Sequence, residues 1–357
     1  MKSQHYVLAA ISFIAAAGAA QAQMTNGVTL YGVADAYVQV ASGAEKLTRV
    51  QSGGLSGSRF GLKGSEDLGA GLRGIFTIES GINLDDGGVG QGAFWGRQAF
   101  VGLDSPIGQF TLGRQYGSVF NLSSDFSEFS NGPIGASTSV IGGFGGYEPV
   151  RGSADSATGN GGPSRVNNAI KYETPSLHGL KMGTLLGLGE VAGSTGNTRV
   201  FDVYARYTEG SLDAMVSIVD DRAEVSDLNV RTSSVGVAYK FDAARVTGGI
   251  VSVNDRSMAN SDGKGYWVGG DYRIGVHQLK AQYLVNKVKS SDGKTQAFGA
   301  GYQYDLSKRT NLYSTLTHFK NKGDAYADRW ATSLPVGMTS ADDRNITEFV
   351  AGIRHTF

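Results

Sequence analysis

The 357-residue chain contains no cysteine, and only 6 of its residues are proline. The lack of cysteine excludes a disulfide framework. Few prolines beside 53 glycines, without a G-X-Y period, exclude collagen and suit a fold with many turns and closely packed strands. No charge of one sign predominates, since 32 basic residues balance 32 acidic ones, so the composition gives no reason to expect a nucleic-acid partner.

The first 22 residues have the pattern of a secretory signal peptide. Lys2 precedes an apolar run over residues 7–20, and Ala20, Gln21 and Ala22 form an A-x-A cleavage site. We expect cleavage after Ala22. A short membrane anchor is the alternative, but the run is brief and the cleavage site is clear. After this segment, no apolar run approaches the ~20 residues that a membrane-spanning helix needs.

Most of the remaining sequence alternates between two kinds of residue with the period of two that is typical of a β-strand. Phe201 and Val203, for example, alternate with Asp202 and Tyr204. This pattern predicts sixteen strands, at residues 28–40, 57–66, 71–83, 94–104, 108–115, 165–174, 180–189, 200–208, 211–220, 231–241, 244–254, 264–273, 277–288, 295–305, 310–320 and 346–357.

Short turns and longer loops alternate between these strands. An antiparallel meander that closes across a membrane has this pattern, with its turns in the periplasm and its loops outside. Strands of about ten residues match the ~9–11 that cross a bilayer at a tilt, and they exceed the usual length in a β-sandwich, which is the alternative fold. Because backbone groups in lipid must all be paired, we predict an all-β, 16-stranded antiparallel transmembrane β-barrel over residues 23–357.

The sequence ends inside a predicted strand, "EFVAGIRHTF", with Phe349, Ala351, Ile353 and Phe357 on one side. A closed barrel has no free edge, so this last strand must pair with the first. Phe357 would then lie in an aromatic girdle at the membrane interface.

Several motifs recur in the order of a known family: "GVTLYGVADAYV", "SRFGLKGSEDLGAGL", "WGRQAFVGLDSPIGQFTLGRQYG", "NNAIKYETPSLHGL" and "AGIRHTF". Over its whole mature length the chain resembles the trimeric, sixteen-stranded general-diffusion porins of Gram-negative outer membranes, in the branch common in beta-proteobacteria. The resemblance implies a passive channel for ions and small hydrophilic solutes. It also implies a homotrimer, contact with outer-membrane lipid and lipopolysaccharide, and recognition of Phe357 by the barrel-assembly machinery.

The longest connector, residues 116–164, is the expected constriction loop. In the family the third loop folds into the barrel, and the resemblance places its acids at Asp125 and Glu128 in "DFSEFSNG". Ser127 stands where the family often has proline. The resemblance and the strand pattern together give the candidate constriction residues Arg59, Lys63, Glu79, Arg97, Asp125, Glu128, Arg165 and Lys171.

The physical role expected of these residues is a transverse field. Opposite charges on facing walls of a narrow gap orient polar solutes and bias which ions enter. We expect Arg59, Arg97 and Arg165 to face the two loop acids and to outnumber them, which favours a weak anion preference. Val33 replaces a lysine that is frequent in the family's first strand, so the basic wall is weakened there.

Arg114 is an exception to the pattern, because it shares a side with Phe110 and Leu112, which should face outwards. An arginine that faces lipid alone is costly, at ~2–4 kcal/mol near the bilayer midplane. A trimer contact would remove this cost, with Asp85 or Asp86 of the second loop as the partner carboxylate. The alternative is that the strand bulges and Arg114 joins the pore.

The sequence indicates no catalytic site, cofactor or metal. "GAGLRG" has the G-x-G-x-x-G spacing but precedes a strand, no G-x-S-x-G occurs, and the five histidines are scattered. Two alternatives to a general-diffusion channel stay open. One is a substrate-specific outer-membrane channel, which would show aromatic or charged tracks along its lumen. The other is a barrel hydrolase.

Overall fold

A computed structural model describes residues 27–43, 46–130, 132–141, 164–189, 192, 199–222, 229–256, 262–289, 293–322 and 345–357. The predicted signal peptide lies outside these residues and stays a prediction. The strands are β1 Gly27–Ser42, β2 Lys46–Ser52, β3 Arg59–Gly69, β4 Leu72–Gly81, β5 Gln98–Ser105, β6 Gly108–Tyr116, β7 Arg165–Glu173, β8 Leu180–Gly187, β9 Val200–Glu209, β10 Leu212–Arg222, β11 Asn229–Lys240, β12 Ala244–Asp255, β13 Gly263–Ile274, β14 His277–Val288, β15 Lys294–Asp305, β16 Thr310–Lys322 and β17 Asn345–Thr356.

These seventeen segments form one closed antiparallel barrel with sixteen strand positions. Each segment from β3 onwards pairs with the next, and β17 pairs with β1, which closes the sheet. β2 and β3 share one position, because β2 pairs with the second half of β1 and β3 with its first half. The predicted sixteen-stranded barrel is confirmed, but the expectation of a plain loop over residues 41–56 is wrong. That connector contains β2.

Apolar side chains lie on the outside of this barrel and polar ones on the inside. Phe201 is 47% exposed and Val203 is 37% exposed, whereas Asp202 between them is 2% exposed. The same inversion recurs on β11, where Val235 is exposed and Ser234 is buried. An apolar exterior around a polar lumen is the surface that a barrel in a lipid bilayer needs.

Residues 118–130 and 132–141 of the long connector lie against the inner side of β9–β15. A short helix, α1 Ser118–Asp125, begins where the backbone N–H and hydroxyl of Ser118 donate to the buried Asp202 carboxylate. Beyond the helix, the Phe126 ring occupies the space left by Gly236, where a Cβ would lie 2.7 Å from the ring. The Trp267 indole N–H donates to the Phe126 carbonyl at 2.6 Å. The described part of the third loop therefore folds into the lumen.

Candidate pore constriction

One buried carboxylate, Glu79 of β4, is the centre of the basic side of the lumen. Arg97 Nε donates to it at 2.8 Å, and Arg59 Nε lies 3.6 Å away on the neighbouring strand. The hydroxyls of Tyr31 and Tyr116 donate to the same carboxylate at 2.9 Å and 2.7 Å. Arg97 lies one residue before β5, so the alternation of that strand does not determine its side. Its side chain points into the lumen although it shares the parity of Ala99 and Val101. Glu79 thus holds two arginines and two tyrosines in a fixed arrangement.

Arg165, at the start of β7, joins this cluster through aromatic rings. Its guanidinium carbon lies 5.3 Å from the Tyr116 ring centre and 5.2 Å from the Phe120 ring centre, within the range of cation–π attraction. Among the described residues no acidic side chain forms an ion pair with Arg165, and its Nε atom is buried without a hydrogen-bond partner. Arg59 and Arg97 therefore share the Glu79 carboxylate, while Arg165 is held by the two rings. Three positive charges stand against one negative charge in this cluster, which is a surplus of two.

A cavity of about 500 Å³ opens between this cluster and the third loop. The barrel side contributes Arg59, Glu79, Arg97, Tyr116 and Arg165. The loop side contributes apolar and hydroxyl-bearing residues, namely Phe120, Ser124, Ser130, Gly132 and Pro133. The loop acids Asp125 and Glu128 do not line this cavity, so the expected direct opposition of arginines and loop acids does not occur there.

The segment between β2 and β3, residues 53–58, lies beside Arg59 and Arg97. Arg59 donates from one guanidinium nitrogen to the Ser56 hydroxyl at 3.1 Å and to the Gly57 carbonyl at 2.9 Å. A Cβ at Gly57 would lie 2.9 Å from the nearest Arg97 nitrogen. The backbone therefore passes directly beside both guanidinium groups and limits where they can lie.

Asp35 of β1 fixes that segment. Its fully buried carboxylate accepts backbone N–H bonds from Gly54, Leu55 and Ser56 at 3.0–3.1 Å, and a fourth bond from the Tyr313 hydroxyl. A carboxylate that accepts several backbone N–H groups is held strongly. Asp35 is thus linked to the constriction through the loop that it binds.

The loop acids instead meet a second pair of arginines on the opposite wall. Asp125 accepts a bond from Arg206 of β9 at 2.6 Å, and Arg206 also pairs with Asp213 at 2.6 Å. Glu128 accepts from the Thr247 hydroxyl at 2.8 Å and lies 3.7 Å from Arg245 of β12. Burial in the loop is the largest influence on Glu128 and raises the pKa of its carboxyl to about 7.

Two predicted lysines lie away from the arginine cavity. Lys63 Nζ is 5.3 Å from the centre of the Tyr31 ring. Lys171 Nζ is 3.3 Å from a Glu173 oxygen, and Lys181 lies 3.6 Å from the same oxygen. Lys171 is therefore matched by a carboxylate on its own strand, and neither lysine lines the cavity.

Arg114 keeps the outward register that its sequence position predicts. Arg114 pairs with Ala99 across β5 and β6. Two residues along each strand, Leu112 pairs with Val101, and both of these side chains are exposed on the outer surface. A bulge does occur between β6 and β7, but the extra residue belongs to β7, where Asn168 adopts a φ of 49°. The Arg114 guanidinium donates within the chain, to the Gly96 carbonyl at 2.8 Å and to the Asn167 side chain.

The other residues expected at a subunit boundary lie in the second loop. Asp85 accepts a 3.4 Å bond from Gln51, and Asp86 accepts one from the Gly88 backbone at 2.7 Å. Both bonds are on the exposed surface. The trimer contact of Arg114 with either carboxylate therefore stays a prediction.

Phe357 lies at the seam between β17 and β1. Its backbone exchanges two hydrogen bonds with Gly32, at 3.0 Å and 3.1 Å. A Cβ at Gly32 would lie 2.3 Å from the Phe357 ring, so glycine makes room for the ring on the outer surface. The role of Phe357 in assembly stays a prediction.

Several residues of the constriction were not predicted from the sequence. Tyr31 and Arg206 could have been found, because they lie on the polar side of their alternating strands, opposite Leu30 and Ala205. Tyr116 and Phe120 carried no such signal, since they flank the junction of β6 and α1. Arg245 stands at the second residue of β12, where alternation gives little information.

Within the described ranges, no helix is both long and apolar enough to span a membrane. The same residues contain no group of three or more histidine, aspartate or glutamate side chains arranged to hold a metal ion.

The chain is similar in sequence and in fold to known outer-membrane porins. A family model described as Gram-negative porin matches residues 8–324. Outer membrane porin protein 32 of Delftia acidovorans is 31% identical, over 98% of this chain and 99% of that protein. An outer membrane porin protein of Bordetella pertussis is 28% identical, over 98% of this chain and 99% of that protein. The solved anion-selective porin from Comamonas acidovorans superposes with a TM-score of 0.74 at 28% identity, over 93% of this chain and all of that one.

The protein is a channel-forming barrel of the outer membrane, and its chain belongs to the Gram-negative porin family. It provides general diffusion of solutes across that membrane.

Proposed function

We propose that this porin is a passive, permanently open pore with a weak preference for anions, set by Arg59, Arg97 and Arg165. The observation that supports this proposal is the charge surplus, since three guanidinium groups line the cavity and Glu79 supplies the one carboxylate among its described lining residues. An anion entering the cavity replaces a missing counter-charge, whereas a cation meets repulsion. The solved relative of similar structure is described as anion-selective, which agrees with this direction.

The second wall has two arginines against three carboxylates, a net charge of minus one, which is smaller than the surplus of two on the first wall. Arg206 is matched by Asp125 and Asp213, and Arg245 lies beside Glu128. The pairs of Arg206 with Asp125 and of Arg245 with Glu128 attach the third loop to the barrel wall. The named relatives are porins, and we propose no catalytic role for this chain.

The direct test is electrical. Purified protein in a planar bilayer should give stepwise ohmic conductance, and a potassium chloride gradient should give a reversal potential of the sign that chloride preference requires. Absence of ohmic steps would contradict the open pore. Ohmic steps with a reversal potential of the opposite sign would contradict the assigned role of the three arginines.

We further propose a homotrimer with Arg114 at the subunit boundary. The backbone register gives Arg114 an outward position on β6, and the carboxylates of Asp85 and Asp86 belong to the exposed second loop. Arg114→Glu should lower the melting temperature of the trimer in detergent, and adding Asp85→Lys and Asp86→Lys should restore part of it. If Arg114→Glu alters conductance while the trimer melts normally, the residue acts in the pore and this assignment fails.

A further inference from the structure

The aromatic pair beside Arg165 has a geometry suited to solutes that carry a ring. Tyr116 and Phe120 stack with ring centres 3.9 Å apart and planes 7° from parallel. Tyr116 is fixed from its other end by the hydrogen bond to Glu79. Phe120 therefore rests on a rigid neighbour, at the point where β6 gives way to α1.

Phe120 is a lumen-facing residue of α1. Its neighbours Val119 and Leu122 are fully buried against the barrel wall, whereas Phe120 is half-buried and lines the arginine cavity. Leu55 and Pro133 add apolar lining to the same cavity. A face of the cavity is thus apolar and partly aromatic, immediately beside a cluster with surplus positive charge.

Arg165 has the donors to bind the other end of such a solute. The two aromatic rings hold its guanidinium, and aromatic rings consume none of its hydrogen-bond donors. Its Nε is buried, so the terminal guanidinium nitrogens are the donors that a solute in the cavity can reach. An arginine held in this way can present its donors to a planar carboxylate.

We propose that this cavity is a binding site for small aromatic carboxylates of the benzoate type. The carboxylate lies at Arg165 and Arg59, and the ring packs on Phe120 beside Pro133. The cavity of about 500 Å³ is within the size range of sites for small molecules. Aliphatic and inorganic anions use only the arginines, so the ring sets a preference among anions. This inference rests on the proposed anion preference of the pore.

The test compares two probes in planar bilayers, benzoate and cyclohexanecarboxylate, which share size and charge but differ in the aromatic ring. Benzoate should reduce chloride current at a half-blocking concentration about twofold to tenfold lower, as expected for one aromatic contact. Phe120→Leu should remove this difference, and Phe120→Tyr should keep it. Phe298→Leu, which alters an exposed outer-face ring, is the matched control and should leave both probes unaffected.

Equal block by the two probes in the wild-type channel would overturn the proposal. It would also fail if Phe120→Leu weakened chloride preference but preserved the advantage of benzoate, because Phe120 would then only position Arg165. Chloride preference with equal block leaves the proposed function intact. A benzoate advantage in a channel without chloride preference supports the ring site and refutes the proposed function.

Discussion

The two walls of the lumen use arginine in opposite ways. On the β3–β7 side, two arginines share the Glu79 carboxylate, and a third, Arg165, is held by aromatic rings with no acidic partner among the described residues. On the β9–β12 side, Arg206 and Arg245 are outnumbered by one, because Asp125, Asp213 and Glu128 all lie beside them. The first wall keeps a charge surplus for passing solutes, while the second uses its charges to attach the loop.

This difference shows that an arginine in a pore is not by itself a selectivity residue. Its contribution depends on how many carboxylates accompany it within a few ångströms, because a matched pair presents little net field to a distant ion. It also shows how a cation can be positioned without being neutralised. The hydroxyl, carbonyl and ring contacts of Arg59 and Arg165 orient their guanidinium groups but leave the charge in place.

The largest change in ion selectivity is expected from removing the surplus of positive charge on the β3–β7 wall. Replacing Arg59, Arg97 and Arg165 by glutamine should abolish anion preference and shift the reversal potential towards cations. Glu79→Gln must accompany them, because a buried carboxylate without its partners is strongly destabilising. The shift is measured in a potassium chloride gradient across a planar bilayer.

The control is a balanced change on the other wall. Arg206→Gln with Asp125→Asn removes one charge of each sign, so the reversal potential should stay close to that of the wild type. Both residues are partly exposed, and the stability lost should be only ~0–1 kcal/mol. A shift as large as that of the quadruple variant would contradict the distinction between the two walls.

A smaller change in ion selectivity is expected from Asp35→Asn. Asp35 does not line the cavity but holds the 53–58 segment that lies beside Arg59 and Arg97. An amide cannot accept all four hydrogen bonds that the Asp35 carboxylate accepts, and each buried donor left unpaired costs about 1–3 kcal/mol. Arg59 and Arg97 should lose part of their support, so anion preference should fall without disappearing. The measurements are thermal unfolding in detergent and the reversal potential.

Tyr313→Phe is the graded comparison, since it removes one of those four donors and keeps the carboxylate. Tyr313→Phe should change the unfolding temperature and the reversal potential less than Asp35→Asn does. If Asp35→Asn destabilises the barrel while selectivity stays normal, the 53–58 segment does not position the arginines.

The smallest effect is expected from pH, through Glu128 on the β9–β12 wall. Its pKa is raised to about 7, so the carboxyl gains a proton as pH falls through that value and the lumen loses one negative charge. Anion preference should therefore rise between about pH 8 and about pH 6. Asp271, Arg245 and Lys280 also face this carboxyl. Glu128→Gln should weaken the pH dependence and move the anion preference at about pH 8 towards its acidic value, and an unchanged profile would refute the assignment.

The sequence was sufficient for the barrel, because strand alternation is a local property of each segment. It predicted nearly every strand within a few residues and placed Arg59 and Glu79 on the inner face. It missed β2, whose seven residues contain no long alternating run. A strand that occupies half of a barrel position is recognised only from its pairing with β1.

The partners of the charged residues were much less predictable. Loop acids and wall arginines were expected to face each other, yet Asp125 turns towards Arg206, more than eighty positions along the chain. Such a choice depends on where Phe126 fits against Gly236 and where Trp267 meets the loop backbone. These are long-range packing events that alternation does not encode.

The interrupted strand has a consequence for how pores of this kind can diversify. Strand number and strand stagger together determine the width of a closed barrel, so neither can change without rebuilding the whole cylinder. The six residues between β2 and β3 escape this constraint, because β1 continues past them and keeps the wall closed. Lengthening or shortening this segment would change the shape of the constriction while the barrel keeps its strand number and stagger. The selectivity of the channel can therefore change without a change in the barrel.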